Sequence, residues 1–62
     1  RMGHKARRIV RELFETFFHD PRLLSPEYRR EDPAEQARAI SDYIAGMTDR
    51  YAISEHRALF EM

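Results

Sequence analysis

Ser41-Asp42-Tyr43-Ile44-Ala45-Gly46-Met47-Thr48-Asp49-Arg50-Tyr51-Ala52 carries an apolar series and a polar series that fall on different sides of one helix. Ile44, Met47 and Tyr51 extend the three- and four-residue steps set by Ala37 and Ile40, the spacing of a buried helix stripe. Glycine is a common helix stop, so a break falls either at Gly46 or at residues 52–53. Because Ile40, Ile44, Met47 and Tyr51 keep phase across Gly46, the spacing predicts that the helix runs through the glycine and breaks at Ala52-Ile53. At about 100° per residue, Arg38, Asp42, Ala45, Gly46 and Asp49 then face away from the stripe. A solvated face favours Glu, Lys and Gln. Small residues beside short carboxylates instead let a second backbone approach and donate hydrogen bonds. This side is the expected interaction face. The plainer alternative pairs Asp42 with Arg38 one turn away and Asp49 with Arg50 or a neighbour.

Upstream, Asp32-Pro33-Ala34-Glu35 starts that helix, with a side-chain acceptor at the N-cap, proline at the first helical position and glutamate at the third. Downstream, Ser54 is expected to cap a last short helix that carries Leu59 and Phe60 toward the C-terminus. At the other end, Ala6, Ile9, Val10, Leu13, Phe14 and Phe17 mark one face of a first helix over about residues 4–18, stopped by Asp20-Pro21. Arg8 with Glu12 and Arg11 with Glu15 stand four apart, a spacing that supplies weak surface pairs. Residues 20–32, with Pro21 and Pro26, read as a connection whose Leu23-Leu24 pair folds back onto the core. No strand alternation, repeat or low-complexity tract occurs. The fold class is therefore all-α: a single small domain over residues 1–62, an antiparallel hairpin of two long helices plus a short C-terminal helix.

A 62-residue chain buries only about 60% of its unfolded surface, so a partner's support is expected. Without cysteine there is neither a disulfide nor a thiolate metal site, and a reducing, cytoplasmic location is the expectation. No apolar run reaches the roughly 20 residues of a membrane span, and no membrane partner is expected. Eleven basic and eleven acidic side chains balance, which argues against a domain built to neutralise nucleic acid, although Lys5, Arg7, Arg8 and Arg11 cluster. That cluster is the one candidate for phosphate or nucleic-acid contact. The chain opens on Arg1 with a helical pattern close behind, as expected of a piece of something longer.

His19-Asp20 spells the dipeptide known from metal-dependent HD phosphohydrolases, yet His4 and His56 lie in unrelated contexts and no further ligands converge in the pattern. A histidine near the C-terminal carbonyls of a helix has a structural reason to be there. Gly3 and Gly46 make no phosphate loop, and Ser25, Ser41 and Ser54 lack a paired base. No catalytic residue, metal ligand or cofactor is assigned to these residues.

Lys5-Ala6-Arg7-Arg8-Ile9-Val10-Arg11-Glu12-Leu13-Phe14, then Pro21-Arg22-Leu23-Leu24-Ser25-Pro26, then residues 42–52 quoted above, resemble the C-terminal region of bacterial deoxyguanosinetriphosphate triphosphohydrolase-like proteins, the helical segment after their HD domain. The resemblance implies a parent that splits a deoxynucleoside triphosphate into deoxynucleoside and triphosphate. It also implies a divalent Mg or Mn ion held by two histidines and two aspartates in a separate HD domain, and a homo-oligomeric assembly. His19-Asp20 does not align with that constellation. The expectation is a non-catalytic module supporting the HD domain or an oligomer interface; a stand-alone nucleic-acid-binding or protein-interaction module is the alternative.

Overall fold

Asp20-Pro21 and Gly46-Met47-Thr48 divide the chain into three helices of nearly equal length. These are α1 (Arg7–His19, 13 residues), α2 (Pro33–Ala45, 13 residues) and α3 (Asp49–Phe60, 12 residues). The computed structural model describes residues 6–61. The expected helix start near His4, and Lys5 of the basic cluster, lie outside the described residues. The all-α class and the three helices are as read from sequence, but the third helix is not short.

The reason is local. The helix breaks at Gly46, where the glycine N–H donates to the carbonyls of Asp42 and Tyr43 at 3.1 and 3.2 Å and Met47 N–H donates to Ile44 at 3.0 Å. Thr48 then opens α3, its hydroxyl accepting the Tyr51 N–H at 3.0 Å. Ser54, expected to cap the last helix, lies inside α3. The phase argument across Gly46 failed because the break is so short that Ile44 and Met47 both still reach the core. Tyr51, by contrast, is 50% exposed, and Ala52 takes the buried position.

The connection between α1 and α2 is built from two 3₁₀ turns, Pro21–Leu23 and Pro26–Tyr28, each with proline in its first turn. Leu24 folds back as expected at 2% exposed, whereas Leu23 is 42% exposed. Side chains satisfy the backbone of this strandless stretch. The Arg29 guanidinium donates to the Leu24 carbonyl at 2.9 and 3.1 Å and to the Arg22 carbonyl at 3.1 Å. Gln36 of α2, buried to 2% exposure, accepts the Arg30 N–H and donates to the Tyr28 carbonyl, each at 2.9 Å. A buried amide with both ends bonded fastens the connection to α2 without leaving a polar group unsatisfied. Asp32 caps α2 through the Glu35 N–H at 3.1 Å, with Pro33 in the first turn, as the sequence predicts.

α1 packs against both α2 and α3 and supplies the two largest core side chains, Phe17 and Leu13. Around them close Leu24, Ile40, Ile44, Met47 and Ala52. Ile9, Val10, Phe14 and Leu59 pack on this cluster from the rim. Phe60 is exposed and stacks on His56 with ring centroids 4.4 Å apart. Among the described residues, no helix is long and apolar enough to cross a membrane.

Candidate functional site

The break at Gly46 redistributes the expected interaction face. Arg38, Asp42, Ala45 and Gly46 are exposed on α2 and its C-terminal cap, while Asp49 is the first residue of α3 and is partly buried. The five residues therefore do not share one helix face. Asp49 is engaged within the chain. Asp42 is not paired with Arg38: among the described residues its carboxylate makes no ion pair.

Asp42 instead borders a cleft of about 260 Å³ between the end of α2, the start of α3 and the 3₁₀ turn at Tyr28. Tyr28, Tyr43 and Tyr51 line it, and Gly46 contributes an edge without a side chain. A Cβ on Gly46 would meet only the Asp42 and Tyr43 carbonyls at an ordinary 3.6 Å, and φ of −81° is open to any residue, so the fold of this chain does not demand glycine there. Tyr43 anchors the cleft to the core: its ring meets Phe17 edge-on at 5.6 Å and Tyr28 at 4.8 Å. Burial pushes the Tyr43 phenol up to about 12, with the Tyr51 hydroxyl beside it as the next cause. It stays protonated and acts as a neutral hydrogen-bonding wall at physiological pH.

Sequence reading placed Asp42 and Gly46 correctly at a surface but missed Tyr28 as their neighbour. No periodicity joins Tyr28 in a 3₁₀ turn to Asp42 on a helix fourteen residues later. Thr48 was legible in principle, since a threonine followed by an acidic residue is a common helix start.

The remaining candidates have structural employment. Asp20 accepts the backbone N–H of Arg22 at 3.3 Å and its guanidinium at 3.0 Å, and this arginine holds the Asp20 carboxyl below its ordinary range. His19 is exposed at the end of α1. Among the described residues no group of three or more His, Asp or Glu side chains is arranged to hold a metal ion, so the residues present do not fit one. Arg7, Arg8 and Arg11 are exposed on α1, but Arg7 and Arg11 flank Val10, Phe14 and Glu15 around one surface depression rather than forming a purely basic patch. Glu12, which spacing paired with Arg8, accepts a 2.6 Å hydrogen bond from His56 Nε2 on α3. That bond is the first cause of a lowered Glu12 pKa, with Arg8 a lesser one.

The phosphohydrolase-associated domain family matches residues 1–58. Among curated proteins, the chain is 77% identical over all of its 62 residues to a deoxyguanosinetriphosphate triphosphohydrolase-like protein of Bordetella pertussis, covering 16% of that protein. It is 63% identical to the protein of that name from Ralstonia nicotianae, over 97% of this chain and 16% of the relative. A Brucella ovis protein of the same name is 50% identical over 94% of this chain and 15% of its own length. The chain thus spans about one sixth of these relatives. Nothing in the matches places the segment at their C-terminal end, where the resemblance put it. No solved structure matches the chain.

Proposed function

Because the chain belongs to the phosphohydrolase-associated domain family, we propose that it is a non-catalytic helical module of a deoxynucleoside triphosphate triphosphohydrolase, holding the catalytic portion in shape or at a subunit interface. The observation that carries this reading is how its chemistry-bearing side chains are used. Asp20 caps a turn, Gln36 fastens the connection, Thr48 starts a helix, and Glu12 and His56 bond α1 to α3. On this reading the parent releases inorganic triphosphate from a deoxynucleoside triphosphate with a divalent Mg or Mn ion held in its HD part. It works as a cytoplasmic homo-oligomer, and this segment supplies scaffold rather than ligands.

Two measurements test it. The isolated 62-residue chain, given deoxynucleoside triphosphates with Mn²⁺ or Mg²⁺, should release no triphosphate; turnover would overturn the non-catalytic assignment. Deleting the segment from the full-length protein should lower the size of the assembly or its melting temperature along with activity. A deletion protein that assembles, melts and turns over like the intact one would remove the scaffold role.

A further inference from the structure

We propose that the cleft bordered by Asp42, Tyr51 and Gly46 seats an arginine side chain carried by the remainder of the parent polypeptide. The guanidinium would stack on Tyr51 and pair with the Asp42 carboxylate. This rests on the scaffold reading above and names the contact through which it acts.

Three features of the cleft point to that occupant. Asp42 brings a carboxylate that no cation of the described chain neutralises. Arg38, one turn back on α2, makes no ion pair with it, and Arg50 lines a neighbouring depression with Ser54 and Glu55 instead of this cleft. Tyr51 is half exposed and offers a ring to stack on, while Tyr28 and Tyr43 are packed against each other behind it. Gly46 borders the cleft without a side chain. Aromatic rings beside an unpaired carboxylate attract organic cations. A planar guanidinium satisfies both groups at once, since it stacks on a ring and forks onto a carboxylate, whereas an ammonium is a compact, strongly hydrated point charge.

The source follows from proportion. This chain spans about one sixth of its relatives' length; on the scaffold reading the remainder of such a parent is covalently tied to it and would present its arginines at high effective concentration.

The test titrates the 62-residue chain with Nα-acetyl-arginine methylamide and follows the tyrosine ring resonances. A saturable shift centred on Tyr51 is expected, weaker with the lysine analogue and absent with the uncharged citrulline analogue. Asp42→Asn should weaken binding roughly tenfold or more, the effect of removing a charge-assisted pair. Gly46→Leu should block the cleft while the helical circular dichroism is retained. An equal response to citrulline, or no saturable response to arginine, overturns the proposal. In the intact full-length protein the cleft should already be filled and the probe excluded. If the full-length protein takes up the probe as readily as the isolated chain, the parent does not supply the arginine. Either failure leaves the scaffold role standing, since that role is judged by deleting the whole segment.

Discussion

Glu12 and His56 show how one side chain can outweigh the pairing that spacing suggests. An exposed pair one turn apart is worth a few tenths of a kcal/mol, so a carboxylate on α1 is easily captured by a better partner. His56, 44 residues away, bonds it at 2.6 Å from a partly buried position. The Glu12 pKa is lowered from 4.5 in the folded chain, so the folded state favours the ionised form. Its contribution is therefore complete above 4.5 and fades as pH falls through the lower folded value. Glu12→Gln should melt below wild type near neutrality, and thermal melts in acid should show the two converging. A gap that widened in acid would contradict this assignment. Gly46 is tested in the opposite direction. Its backbone is helical and a Cβ is accommodated, so Gly46→Ala should leave the isolated chain unchanged or raise its stability by about 0.4–1 kcal/mol in urea titrations. A loss confined to the full-length protein would identify glycine as a requirement of the contact there.

At the scale of elements, each junction has one side chain whose removal is directly readable: Thr48 where α3 starts and Gln36 where the connection meets α2. Thr48→Ala removes the acceptor for the Tyr51 N–H and should cost about 1 kcal/mol, read as a lower denaturation midpoint and less helix in α3. Gln36→Leu should cost more, about 1–3 kcal/mol, because it strands the Arg30 N–H and the Tyr28 carbonyl together. Hydrogen exchange at Arg30 checks the cause: that amide should lose protection more than the interior of α2 does. These devices also define what was legible. Asp32-Pro33 announced the start of α2 because an N-cap acts within one turn, and the structure has it as read. Thr48 was passed over because the apolar phase across Gly46 outweighed the local cap signal.

At the scale of the molecule, α1 packs against both other helices and contributes Phe17, the largest fully buried side chain. At about 0.05–0.15 kcal/mol per residue, 62 residues carry only about 3–9 kcal/mol of stability. Phe17→Ala removes about 3–5 kcal/mol, comparable with the whole margin, so much of the isolated variant should be unfolded at 25 °C by circular dichroism. In the intact parent the same variant should be partly rescued if the rest of the polypeptide braces this segment.

The one-dimensional order of residues determined the helical class, the core positions Leu13, Phe17, Ile40, Ile44 and Met47, the α2 cap and the family, because helix periodicity and capping act over three or four positions; Gln36 and Ala39, rather than Ala37, complete the buried face of α2. Only the tertiary structure decided where α2 ends and which neighbours Asp42 has. It also decided that Glu12 turns to His56 and that Gln36 holds the connection. The end of α2 turned on a local contest between the apolar phase and the Thr48 cap; the other outcomes depend on side chains brought together by folding, at separations where helix periodicity carries no signal.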